Sequence, residues 1–146
     1  MKKYGFMLLA SVLMAGSCKQ DDKDQTPPIT LDQYIAANKI SATADNRGFY
    51  YTIQAPGTGV KPTVSSNVTV NYTGKLTNGN TFDSGKGVSF GLNQLITGWQ
   101  YGIPLIAPGG SITLYLPPGL AYGSRATGDI PANSVLIFTI DLVRVN

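Results

Sequence analysis

The residues that most often carry out chemistry are scarce in this chain. Its 146 residues include no His and no Glu, and the one Cys is Cys18. A Ser or Cys nucleophile therefore has no imidazole base to activate it. Zinc has no His or Cys set to bind it, and Asp83, Asp129 and Asp141 lack the spacing of a calcium loop. The run Gly85-Lys86-Gly87-Val88-Ser89-Phe90-Gly91 has neither the Walker spacing nor a following helix that could hold phosphate, and it reads as a turn. Asp83 has no evident second carboxylate, which argues against a glycosidase. No metal and no cofactor are expected. What is left is a set of aromatics beside turn residues, Tyr72, Phe82, Trp99, Tyr122 and Phe138, with Asp83 next to Phe82. Such rings serve either as core or as the walls of an apolar pocket.

Composition bounds the frame that must position these residues. With 42% apolar and 13% charged residues, 17 Gly and 9 Pro, the chain is globular, rich in turns and long enough for one sizeable core. One Cys excludes an internal disulfide. The formal charge is +3, and beyond Lys2 and Lys3 the Lys and Arg are scattered singly. A nucleic-acid role therefore lacks its electrostatic footprint.

The amino terminus reads as an address. Lys2 and Lys3 precede an apolar run, Tyr4 to Ala15, followed by the small residues Ala15, Gly16 and Ser17 and then Cys18. This is the layout of a cleaved export signal over 1–17, too short to span a bilayer as a helix. Cys18 directly after small residues resembles the lipobox of bacterial lipoproteins, which implies lipidation at Cys18 and attachment to a membrane through lipid alone. The alternative is an incidental thiol near an ordinary cleavage site. Residues 18–29 are polar, end in Thr26-Pro27-Pro28-Ile29, and read as a flexible tether. Asp21, Asp22 and Asp24 resemble a surface-export signal of Bacteroidetes lipoproteins, or they simply keep the tether solvated. The implied location is the bacterial cell envelope, at the outer membrane, in either leaflet.

Thr30 followed by Gln33 forms a capping box, and Leu31, Tyr34 and Ile35 give helical spacing. A short helix at about 30–39 is predicted, within a neck over 30–46 that lies against the domain. It is too short for a coiled coil, which argues for a monomer. From residue 47 to 146 the pattern is mostly strand. Residues 49–53, 67–76, 111–116 and 135–143 suit half-buried strands, and Asn78-Gly79 marks a chain reversal. One further helix is predicted over 98–106, with Trp99, Ile103 and Ile106 on one face and Pro108-Gly109-Gly110 as its stop. The fold class is α+β, a curved antiparallel sheet with one face on a short helix and the other in solvent.

Local sequence adds a resemblance. Val-Asn-Tyr-Thr-Gly-Lys-Leu at 70–76, Gly-Asn-Thr-Phe-Asp-Ser at 79–84, Leu-Ile-Thr-Gly-Trp at 95–99, Leu-Ala-Tyr-Gly at 120–123 and Ile-Pro-Ala-Asn-Ser-Val-Leu-Ile-Phe at 130–138 stand in the order found in FKBP-type peptidyl-prolyl isomerases. The chain resembles that family from about Gly48 onward, and ordered motifs are far more specific than any one of them. The resemblance implies five to six antiparallel strands wrapped around one short helix. It also implies catalysis of X-Pro rotation in exported, proline-containing polypeptides, and macrolides as possible inhibitors.

By the same resemblance Trp99 forms the pocket floor beneath the proline ring. Tyr72, Phe82, Tyr122, Leu95, Ile96, Ile130 and Phe138 surround it, and Val88 stands where many relatives carry an aromatic, with Phe90 directed to the core. The Ile96 backbone N–H and the Tyr122 hydroxyl would hold substrate carbonyls. Asp83, hydrogen-bonded to the Tyr72 hydroxyl, would act electrostatically and not as a base. The flap at 123–134, with Arg125, Gly128 and Asp129, differs from the usual pattern, which bears on macrolide affinity and on the residue preferred before Pro. A second reading, a module that binds proline-containing peptides or acts as a chaperone without turnover, shares the same fold.

Overall fold

In the computed structural model, which describes residues 28–146, the chain enters through the capped helix that its sequence predicts. The expected signal, Cys18 and tether residues 18–27 lie outside the described residues. Helix α1 spans Leu31–Ala37, shorter at both ends than predicted. Thr30 Oγ1 accepts the Gln33 N–H at 3.2 Å and Gln33 Oε1 accepts the Thr30 N–H at 2.9 Å, so both donors of the capping box are satisfied. Asn38 closes the helix, and Lys39 at φ 52 turns the chain away. Buried Leu31 and a 3.0 Å hydrogen bond from the Tyr50 hydroxyl to Asp32 hold α1 to the body.

The described strands are β1 (Thr43–Ala44), β2 (Tyr50–Ala55), β3 (Asn67–Leu76), β4 (Thr81–Gly91), β5 (Ser111–Leu116) and β6 (Leu136–Val145). They form one antiparallel sheet in the order β1-β2-β5-β6-β3-β4. The predicted strands at 67–76 and 111–116 are observed with the predicted bounds. Strand β1 is an addition inside the neck, paired to β2 through a turn in which Arg47 bonds Asp45. The Arg47 guanidinium then lies 4.6 Å from the Tyr101 ring centroid, clasping this hairpin to the helical segment.

Strand β4 corrects the reading of 85–91 as a turn. Glycine-rich runs suggest turns locally, but here β3 supplies a hydrogen-bonding partner and the glycines absorb a bulge. Val70 pairs with Val88 whereas Tyr72 pairs with Gly85, so β4 carries one extra residue, and the Gly87 N–H is taken by Asn71 Oδ1 at 2.8 Å.

The predicted helix at 98–106 is in fact α2, Thr97–Gly102, followed by a 3₁₀ turn over Ile103–Leu105. Pro104 accounts for the change, since its ring and missing N–H oppose continuation of the α-helix. Trp99, Ile103 and Ile106 are all buried, as their shared face requires. A Cβ on Gly98 would meet Leu116 at 2.4 Å and one on Gly102 would meet Leu114 at 2.4 Å, so two glycines four apart let α2 lie directly on β5. The inner faces of β3, β5 and β6 contribute Val68, Val70, Ile112, Leu114, Leu116, Leu136, Ile140 and Leu142 to the core. The outer face is polar, with Gln54 on Thr113 and Ser111 on Asp141.

Candidate active site

Two bulges aim the key side chains. Gly74 pairs with Asp83 while Lys75 pairs with Thr81, leaving Phe82 as the extra residue of β4. A bulge tilts its extra side chain out of the regular alternation, and here Phe82 turns over Gly74. A Cβ on Gly74 would come within 2.6 Å of the Phe82 ring and 2.8 Å of the Phe138 ring, so only glycine lets these two rings close over the strand. Their centroids stand 5.5 Å apart, edge to face.

Trp99, 4% exposed, lies at the centre of the aromatic set. Its ring is T-shaped to Tyr72 at 5.2 Å, Phe90 at 5.9 Å and Phe138 at 5.2 Å. Such edge-to-face contacts add about 0.5–1.5 kcal/mol each beyond burial and fix the orientation of the indole. The Trp99 indole N–H is buried without a hydrogen-bond partner among the described residues, which costs the desolvation of that donor.

Tyr72, Phe82, Asp83, Phe90, Leu95, Ile96, Trp99, Tyr122 and Phe138 line one cavity of about 150 Å³. A larger depression of about 510 Å³ is lined by Asn71, Tyr72, Thr73, Ser84, Lys86, Thr139 and Asp141 among others, with Tyr72 as its one aromatic side chain. The smaller cavity therefore matches the aromatic chemistry. It contains all six residues expected at the reacting amide, Tyr72, Phe82, Asp83, Ile96, Trp99 and Tyr122, together with Leu95 and Phe138. Val88 and Ile130 are not among its lining residues: Val88 packs toward Gly85, and Ile130 is buried in the core beneath the flap. Phe90, expected to face the core, packs against it and also stands in the cavity wall, where it meets both Tyr72 and Trp99.

Electrostatics inside the pocket are simple. Asp83 Oδ2 accepts the Tyr72 hydroxyl at 2.9 Å and Oδ1 accepts the Ser84 N–H at 2.9 Å. Burial, then the bond to Asp83, pushes the Tyr72 hydroxyl up to about 12, so it stays protonated and donating. The Ile96 carbonyl accepts the Trp99 and Gln100 N–H groups, while its own N–H donates in no backbone hydrogen bond among the described residues. The Gln100 side chain reaches back to the carbonyls of Leu95 at 2.8 Å and Asn93 at 3.4 Å. Sequence reasoning passed over Gln100 and Gly74; the signal for Gln100 was its place one residue after Trp99 in the Leu-Ile-Thr-Gly-Trp motif. No cluster of three or more His, Cys, Asp or Glu that could hold a metal occurs among the described residues.

Residues 59–143 match the sequence profile of FKBP-type peptidyl-prolyl cis-trans isomerases. The chain belongs to this family. Similarity to other FKBP-type proteins extends beyond the profile. A protein from Aeromonas hydrophila named FKBP-type peptidyl-prolyl cis-trans isomerase FkpA is 41% identical over 120 residues, covering 78% of this chain and 45% of that protein. The peptidyl-prolyl cis-trans isomerase Mip of Coxiella burnetii is 40% identical over 119 residues, covering 77% of this chain and 52% of that protein. The chain thus spans about half the length of these two FKBP-type relatives. Among solved structures, a peptidyl-prolyl cis-trans isomerase from Pseudomonas syringae superimposes with a TM-score of 0.73 at 31% identity, covering 80% of this chain and 90% of that one. The FKBP fold expected from the motifs, an antiparallel sheet on one short helix, is the fold observed.

Proposed function

We propose that this chain is a peptidyl-prolyl cis-trans isomerase that accelerates X-Pro rotation in proline-containing polypeptides without forming a covalent bond. The observation that carries the reading is the aromatic cavity with Asp83 held at its rim by Tyr72. Rotation must break amide resonance across a barrier of about 18–20 kcal/mol. The twisted amide has less charge separation than the planar one, so a dry aromatic cavity favours it over the ground state. A turnover of the order of 10³ per second would require about 7 kcal/mol of such stabilisation. In this reading Trp99 floors the proline ring, Phe82, Phe90 and Phe138 wall it, the Ile96 N–H and Tyr122 hydroxyl hold carbonyls, and Asp83 faces the twisting amide. Macrolides that present a proline-like ring would compete for the same cavity.

The test is the cis-to-trans rate of an X-Pro peptide with the wild-type chain and with Asp83→Ala. Catalysis that falls in the variant is the expected result. No acceleration by a folded wild-type chain would make the protein a peptide-binding module instead.

We further infer attachment to the bacterial cell envelope through lipid on Cys18, with exported polypeptides as clients and a monomeric domain on the tether. The support is sequence: Lys2, Lys3, the short apolar run and the small residues before Cys18. No helix among the described residues is long and apolar enough to cross a membrane. Cys18→Ser should release the protein from membranes, and retention of that variant would refute the anchor.

A further inference from the structure

Phe82 borders two cavities. The first is the aromatic pocket; the second, about 430 Å³, is lined by Leu76, Asn80, Thr81, Phe82 and Asp129. Asp129 is the charged member of this second set. It arrives from the flap, on a tight hairpin in which Thr127 and Ile130 exchange backbone hydrogen bonds of 2.9 and 2.8 Å. Gly128 at φ 54 occupies the first central position, as a type II′ turn requires, which puts Asp129 at the second. Ile130, 6% exposed, pins the hairpin to the core. The flap backbone thus fixes a carboxyl group opposite the turn that leads into Phe82.

That carboxyl group makes no hydrogen bond and no ion pair among the described residues, whose ion pair is Arg47 with Asp45. Lys75, opposite Thr81 in the ladder, and Arg125, on the same flap, do not line the cavity. Asp83 adds a second acidic group on the pocket side of Phe82. Both borders of Phe82 are therefore acidic.

We propose that the second cavity selects substrates with a cationic side chain next to the proline, with Asp129 as the specificity-determining residue. The inference rests on the isomerase reading, and it names the substrate class of that same site. Consecutive Cα atoms lie 3.8 Å apart, so a residue adjoining a proline seated on Trp99 is within reach of Phe82, the wall that the two cavities share. A Lys or Arg there lays its apolar stem along Phe82 and Leu76 and brings its charge to Asp129, while Asn80 and Thr81 supply polar neighbours. A Glu in the same place meets two acidic groups and is rejected. Because the cavity opens to solvent, the discrimination is modest, about two- to fivefold.

The experiment compares kcat/KM for two peptide series, one with Lys, Leu or Glu before Pro and one with the same residues after it. In at least one series the order Lys above Leu above Glu is expected, with steps of about two- to fivefold. It should flatten in Asp129→Asn, reverse in Asp129→Lys and shrink in 0.5 M NaCl, while turnover of the Leu peptides stays unchanged in Asp129→Asn. Absence of the order in both wild-type series, or its survival in Asp129→Asn, overturns the inference and leaves the isomerase reading standing. If no peptide of either series is turned over, the isomerase reading fails instead. The dissociation constants of the same peptides, read from Trp99 fluorescence, then decide the charge preference by the same order.

Discussion

The Tyr72 hydroxyl donates a 2.9 Å hydrogen bond to Asp83 Oδ2 although the two residues are not partners in the β ladder, where Tyr72 faces Gly85 and Asp83 faces Gly74. The two bulges of β4 shift the strand enough for the phenol to reach the carboxyl group diagonally. Gly85 makes room, since a Cβ there would stand 2.7 Å from the Tyr72 ring.

Asp83→Ala removes the acceptor and should lower kcat/KM by about tenfold, as expected for loss of a hydrogen bond worth about 1.5 kcal/mol. Tyr72→Phe should lower it less, because Asp83 keeps the Ser84 N–H. Turnover of X-Pro peptides with folded variants, checked by circular dichroism, measures both. Unchanged turnover in Asp83→Ala would remove Asp83 from the site.

Alkaline pH tests the Tyr72 hydroxyl, raised first by burial and then by its bond to Asp83, through stability. The Tyr72 hydroxyl has a folded value of about 12 against an ordinary value of 10.0. The folded state then holds this proton more tightly than the unfolded chain. Its contribution is fully present below pH 10 and is lost as pH rises from 10 to 12. Tyr50 and Tyr115 are also raised, so the readout is the difference in Tm between wild type and Tyr72→Phe. That difference should shift against wild type across this window and stay flat below it.

Gly74→Ala should damage the site and the fold together. The added methyl falls within 3 Å of both Phe82 and Phe138, and Phe138 is 3% exposed and cannot swing out. Overpacking of this kind costs about 1–3 kcal/mol. Urea denaturation should show the loss, and turnover should fall further than the loss of folded protein explains.

Gln100→Leu keeps the volume but frees the carbonyls of Leu95 and Asn93 that the amide holds. The turn presenting the Ile96 N–H should loosen, raising KM several-fold with a smaller change in kcat. The Ile96 amide resonance in an NMR spectrum should move. A rise in KM without movement of that resonance would separate Gln100 from the Ile96 N–H.

Much of this was legible along the chain, for a physical reason. The capping box of Thr30 and Gln33 and the period-two alternation of 67–76 and 111–116 are local, and local geometry suffices to form them. The aromatic set with Asp83 was legible as residue types and ordered motifs, and those residues do meet in one cavity. Strand β4 was not, because Gly85 and Gly87 suggest a turn until β3 offers its hydrogen bonds. The end of α2 at Gly102 was not legible from the apolar face, which runs on to Ile106, because Pro104 turns the last part of that face into a 3₁₀ turn. Phe90 rather than Val88 lines the cavity because a bulge three residues before Phe90 sets which side chain reaches Trp99. Asp129 comes to face Phe82 through a flap hairpin that shares no local pattern with β4. Propensity and alternation specify which face of an element is apolar. The aim of a particular side chain depends on register shifts and on partners distant in sequence, and these exist once the strands have paired.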